Sequence, residues 1–226
     1  MIFSLLLSLV LAPFLAFLLY SYLGYRFKYA SFKLFYQAFF GGILSVILPL
    51  FVYWLVDTYG YTKLTSLRRI VFYSFFVIGF IHEFSKFLVL RYFILPAQSF
   101  KNPSDGILFG VTVNLGSMSL ISILSLTFLP ELPHYIILSN TMVSLIFAVI
   151  MGFFVGRGKG RSNRFIDSLT GLFGAVFFHG IYQFIVETND LKLMAAYLVG
   201  SIFIAGLLIY KAIDISDQLK LDRSRP

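Results

Sequence analysis

The stretch VIGFIHEFSKFLVL, residues 77–90, is apolar along most of its length but carries His82, Glu83 and Lys86 at its centre. Extended in both directions it becomes a continuous apolar run from Ile70 to Phe93. That is long enough to cross a bilayer, which takes about 20 helical residues. An ionisable side chain at the centre of such a span costs about 2.5–3.5 kcal/mol on insertion scales. Three of them are tolerated only where they neutralise one another or face water. Helical spacing allows the first solution: Lys86 lies three residues from Glu83 and four from His82, so it reaches either on one face. An internal Glu83–Lys86 pair would account for two of the three charges, and His82 has no part in it. The excess polarity marks a candidate functional site.

The rest of the chain fits the same class. It is 59% hydrophobic, 19% aromatic and only 12% charged. A soluble domain is nearer half apolar and a quarter charged. We therefore expect an all-α, polytopic membrane protein, a bundle of about seven transmembrane helices forming one domain over residues 1–226. The expected spans are Ile2–Tyr22, Phe35–Val56, Ile70–Phe93, Ile107–Leu129, Ile136–Val155, Phe165–Val186 and Leu193–Ile213. The first lacks the basic flank and short apolar core of a signal peptide and is read as a span. Pro13 and Pro49 are expected to kink helices without breaking them. There is no cysteine, which excludes a disulfide frame, a thiolate nucleophile and a cysteine metal cage.

The formal net charge is +8. In so apolar a chain this reflects basic loops, not nucleic-acid binding. Thirteen basic residues flank alternate span ends on one side (Arg26, Arg91, Lys159 and Lys211 among them), and four, Lys63, Arg68, Arg69 and Lys192, lie on the other. The positive-inside rule then puts the N-terminus outside and the C-terminus in the cytoplasm of a prokaryotic-type cytoplasmic membrane. The run GRGKGRSNR, residues 156–164, is expected to be a solvated inside loop. Asp105 is expected to cap the fourth span and Asp167 to suit the start of the sixth. Asn114 is expected to hydrogen-bond between helices, and Gly152, Gly156, Gly171 and Gly174 to let helices approach closely.

A second mid-span polar face occurs in GAVFFHGIYQFIV, residues 174–186, where His179 and Gln183 are one turn apart. Counting at 1.5 Å per residue puts Glu83 and His179 within several Å in depth, an offset no larger than the uncertainty in the span ends.

In order and spacing these elements resemble the PrsW-type intramembrane proteases, themselves distantly similar to CAAX-protease-like membrane peptidases. The opening APFLAFLLYSYLGYRFKYASFKLFYQAFFGGIL (residues 12–44) is similar to that family's first helix, basic turn and second helix, without the Glu-Pro element usual in the turn. HEFSK (82–86) stands where the family has Glu-Glu-x-x-Lys. FKNPSDGILFGVTVNLGSMSLIS (100–122) resembles the family's entry into span four, SLIFAVIMGFFVG (144–156) its Gly-rich fifth span, and FFHGIYQ (177–183) its His-x-x-x-Asn/Asp motif. The resemblance implies hydrolysis inside the membrane by glutamate and histidine side chains, with a divalent metal such as zinc as an implied cofactor. It also implies contact with membrane lipids and a membrane-anchored protein substrate or partner. Carried over by position, Glu83, Lys86 and His179 match the family's polar residues. His82 replaces its first Glu, Ile121 and Ser122 stand where span four usually has Glu-Asn, Ser144 where span five usually has His, and Gln183 where span six has Asn or Asp.

Peptide hydrolysis needs an activated water and donors for the developing oxyanion. One arrangement uses Glu83 as general base, His179 as ligand or acid, and Lys86 as charge partner or oxyanion donor. Another uses His82 and His179 as metal ligands with Glu83 acting on the water, so the candidate metal set is His82, Glu83 and His179. HEFSK lacks the second His of a zincin helix. The changed positions leave two alternatives: a catalytically inactive adaptor on the same scaffold, and a small transporter using the same polar helix.

Overall fold

The structure, a computed structural model, describes residues 10–18, 21, 32–128 and 134–224. These residues are helical throughout apart from short connections, with no strand among them. Helix α1 comprises residues 10–18, and the rest of the expected first span lies outside the described residues. Six further helices are long and apolar enough to cross a membrane. They are α2 (Phe32–Thr58), α3 (Leu67–Ile94), α4 (Pro103–Phe128), α5 (His134–Arg157), α6 (Arg164–Thr188) and α7 (Leu191–Ser224). Each coincides with an expected span to within a few residues, apart from a longer C-terminal end on α7.

Local sequence sets the helix ends. Asn102, not Asp105, caps α4: its Oδ1 accepts from the Asp105 N–H at 3.0 Å, while the Asp105 carboxylate reaches back to the Lys101 N–H at 2.7 Å. The reciprocal arrangement follows capping-box logic, and Pro103 sits at the first helical position, where its missing N–H costs nothing. Helix α6 ends at Asn189, which takes a left-handed conformation (φ 54°), and Asp190 then caps α7 by accepting from the N–H groups of Lys192 and Leu193. The regular helix of α2 is interrupted at Val46, between Ser45 and Ile47. Pro49 is the cause: its ring excludes the carbonyl four residues earlier, that of Ser45.

Close helix crossings hold the bundle together. A Cβ on Gly106 would collide with the Gly152 carbonyl oxygen, and one on Gly152 with the Gly106 carbonyl, so α4 and α5 cross backbone to backbone. Gly42 meets the Val113 carbonyl and Gly116 the Phe39 carbonyl, which does the same for α2 and α4. In a bilayer, where lipid is as apolar as leucine, such approaches gain dispersion energy that larger side chains would forbid. Helices α4 and α5 form the buried centre, around Phe109, Val113, Phe147 and Met151. Helix α7 lies outside and turns Val199, Phe203 and Tyr210 outward. The basic run after α5 is not fully solvated as expected. Lys159 Nζ donates to the carbonyls of Leu95 (2.6 Å) and Ala97 (3.2 Å), satisfying acceptors left free at the end of α3, and Arg161 pairs with Asp167 at 3.1 Å.

Candidate functional site: an ion cluster across four helices

Helix α3 is not a uniform α-helix. Tyr73–Phe80 and Val89–Ile94 are π-helical, and the α-helical turn pair Ile81–Leu88, which contains HEFSK, lies between them. Four phenylalanines, Phe72, Phe76, Phe80 and Phe84, stack face to face along one side with centroids 5.3–5.6 Å apart. π turns inside helices recur at functional sites because they change which face the following residues present. The contact that sets α3 against α6 is made by small residues. A Cβ on Gly79 would lie 3.1 Å from the Val176 carbonyl and 3.2 Å from the Gly180 amide nitrogen, and Gly180 receives the ring of Phe75. Glu83 is one turn beyond Gly79, and His179 is next to Gly180, so this crossing brings the two side chains together.

They meet directly. His179 Nδ1 lies 2.8 Å from Glu83 Oε1, and Lys86 Nζ donates to the same oxygen at 2.6 Å. Lys86 Nζ also donates to Asn114 Oδ1 on α4 at 2.9 Å, and Asn114 Nδ2 donates to Ser144 Oγ on α5 at 2.7 Å. The chain His179–Glu83–Lys86–Asn114–Ser144 therefore joins α6, α3, α4 and α5. Glu83 has no exposed surface, and Lys86 is 5% exposed. Glu83 Oε2 is buried and has no partner among the described residues. An ionised Glu83 can only accept, so the His179 proton sits on Nδ1 and the lone pair on Nε2.

Beside this cluster is a cavity of about 170 Å3, bordered by His82, Lys86, Asn140, Ser144, His179 and Tyr182, with Ile78, Ile121 and Gln183 farther out. At about 30 Å3 each it has room for a few waters. Ile78, Ile121, Asn140 and Gln183 are each about a turn or two nearer than the ion cluster to the bundle end that carries residues 59–66 and the Asn189–Asp190 turn, so the cavity extends toward that end. Tyr182 donates to Asn140 Oδ1 at 2.6 Å, leaving the Asn140 amide N–H groups for another acceptor. His179 also stacks on Phe147 at 4.6 Å.

The expected site residues fall into two groups. Glu83, Lys86 and His179 come together. His82 lines the cavity with its ring centroid 6.0 Å from that of His179, but its ring takes no part in the hydrogen-bonded chain. Asn140 and Tyr182 were missed by sequence reasoning. Asn140 is one turn from Ser144 and Tyr182 three residues from His179, so helical spacing from the residues already singled out would have found both.

Residues 30–120 match the profile described as PrsW family intramembrane metalloprotease. Over nearly its whole length the chain is similar to proteins named Protease PrsW. That of Shouchella clausii is 27% identical over 89% of this chain and 92% of the relative. That of Oceanobacillus iheyensis is 29% identical over 80% and 82%. The relative from Bacillus subtilis is 28% identical over 84% of this chain and 87% of its own length. No solved structure matches the chain.

The PrsW family description implies a metal, and the donor set here can be tested against one. A catalytic zinc takes three protein ligands and keeps a fourth position open. Among the described residues no group of three or more His, Asp or Glu side chains is placed to hold an ion. Glu83 Oε1 is already occupied by Lys86 and His179; Oε2 is free, but Glu83 borders a separate void of only about 10 Å3 walled largely by apolar residues, not the histidine-lined cavity, where the remaining candidates are two imidazoles. The residues present do not fit a three-ligand metal centre.

Proposed function

We propose that this chain is an intramembrane peptidase that hydrolyses a peptide bond of a membrane-anchored protein. The observation that carries the reading is the 2.8 Å Glu83–His179 contact, made across two helices beside a cavity large enough for water. In this proposal His179 is the general base. Its Nε2 takes a proton from a cavity water, whose oxygen attacks the scissile carbonyl carbon. Glu83, bound to Nδ1–H, fixes the tautomer and stabilises the imidazolium that forms. The Asn140 amide and the third N–H of Lys86 are the available donors for the tetrahedral oxyanion. His179 then returns its proton to the leaving nitrogen as the C–N bond breaks, giving a carboxylate and an amine.

The proposal includes the single-domain organisation over residues 1–226, an N-terminus outside and a cytoplasmic C-terminus. The cavity would then extend toward the outer face. The test is cleavage of a co-expressed membrane-anchored substrate library in cells lacking the wild-type chain. Glu83→Gln and His179→Ala should each abolish cleavage by the chain while it still accumulates. A second reading, a non-catalytic adaptor, is favoured by Ile121 and Ser144 at positions where the family pattern carries Glu and His. No cleavage by the wild-type chain, with a membrane partner still captured equally by wild type and both variants, would leave the adaptor reading standing.

A further inference from the structure

We infer that this chain operates its polar site without a resident divalent metal, the Lys86 ammonium serving as its fixed cation. The inference deepens the peptidase reading but does not need it, since metal content can be measured whether or not cleavage is found. Charge is the first argument. The wall of the histidine-lined cavity carries no carboxylate, and the charges of Glu83 and Lys86 beside it already cancel. Adding a divalent ion would leave two uncompensated positive charges in a site with no exposed carboxylate, and uncompensated charge in a low-dielectric interior is expensive.

Geometry is the second argument. Ile121 and Ser144 border the same cavity as His82 and His179, so the wall facing the two histidines offers an alkyl chain and a hydroxyl and no anionic ligand. Ser144 has been given other work: its hydroxyl accepts from Asn114, which holds Lys86 at 2.9 Å. The ammonium is bonded to one carboxylate and one amide oxygen, both buried. That network fixes a positive charge beside Glu83 with no exchangeable ion. Ring centroids 6.0 Å apart would allow His82 and His179 to touch one ion, but two neutral ligands supply no compensating charge.

The experiment loads the purified full-length chain in detergent with zinc chloride, removes excess by gel filtration and measures zinc by mass spectrometry. Wild type should retain far less than one equivalent. The variant His82→Glu/Ile121→Glu/Ser144→His, which adds two carboxylates and an imidazole to the cavity wall, should retain about one equivalent if it folds. The wild-type measurement stands by itself if it does not. Where cleavage is detected, a chelator should change the wild-type rate by less than about twofold, against near-complete loss for an enzyme whose nucleophile is metal-bound water. One equivalent of zinc on wild type, lost in His82→Ala, would overturn the inference, as would loss of cleavage on chelation restored by zinc. Absence of cleavage together with absence of zinc would sink the peptidase reading and leave the metal inference intact.

Discussion

Replacing Lys86 by Met is the sharpest probe of the ion cluster. Methionine keeps the length and apolar stem of the side chain and removes the charge. The change strips Glu83 of a 2.6 Å partner at a site with no exposure and leaves its carboxylate bonded only to His179. Breaking a buried pair by removing one member costs about 3–5 kcal/mol, because the remaining charge is uncompensated. Loss of neutral inter-helix hydrogen bonds in membrane proteins costs much less, averaging about 0.6 and reaching about 1.7 kcal/mol. The two outcomes are therefore separable. The assay is reversible unfolding in mixed micelles of SDS and a non-ionic detergent. Lys86→Met should lose about 3 kcal/mol or more. Glu83→Gln/Lys86→Met, which removes both charges, should recover at least half of that loss, since the Coulombic liability goes with the pair. A single-variant loss below about 1.7 kcal/mol, or a double variant no better than the single, would refute the view that the pair is a desolvated ion pair.

Other expectations follow from the same contacts. Asn114→Leu removes the link between Lys86 and Ser144 and should lower stability by about 1–2 kcal/mol in the same micelle titration, more than Asn114→Ser, whose hydroxyl can still meet one partner. Gly152→Leu puts a side chain against the Gly106 carbonyl and should prevent α4 and α5 from closing, seen as loss of a monodisperse gel-filtration peak; Gly200→Leu, at a position open within 4 Å, should have no such effect. Lys159→Met frees the Leu95 and Ala97 carbonyls at the rim of the bundle, where water can replace the donor, so about 1 kcal/mol or less should be lost. Tyr182→Phe releases Asn140 from its hydrogen bond and should lower kcat for a cleaved substrate with little change in KM, if Asn140 serves the oxyanion.

Much of the architecture was legible because it depends on composition over about 20 residues at a time. Six expected spans reappear as helices, and about half of the first lies outside the described residues. Single-residue roles were less legible. The cap of α4 was assigned to Asp105, whereas Asn102 holds it, because both residues suit a helix start and only backbone position separates them. Lys159 read as a solvated loop charge because its acceptors, two carbonyls more than sixty residues away, carry no sequence signal. Asn114 was recognised as an inter-helix donor, but its partners on α3 and α5 could not be named.

The sequence by itself determined that the chain crosses a membrane several times and that His82, Glu83, Lys86 and His179 are out of place in hydrocarbon. Both conclusions follow from the cost of putting each residue into lipid, which is local. Whether Glu83 and His179 meet was a matter of a few Å, and counting along ideal α-helices could not decide it. The π segments on either side of HEFSK hold more residues per turn than an α-helix, so α-helical counting misplaces depth and facing alike. Tertiary structure settled it through the Gly79–Gly180 crossing, which fixes the height and rotation of α3 on α6 and puts one carboxylate between an imidazole and an ammonium.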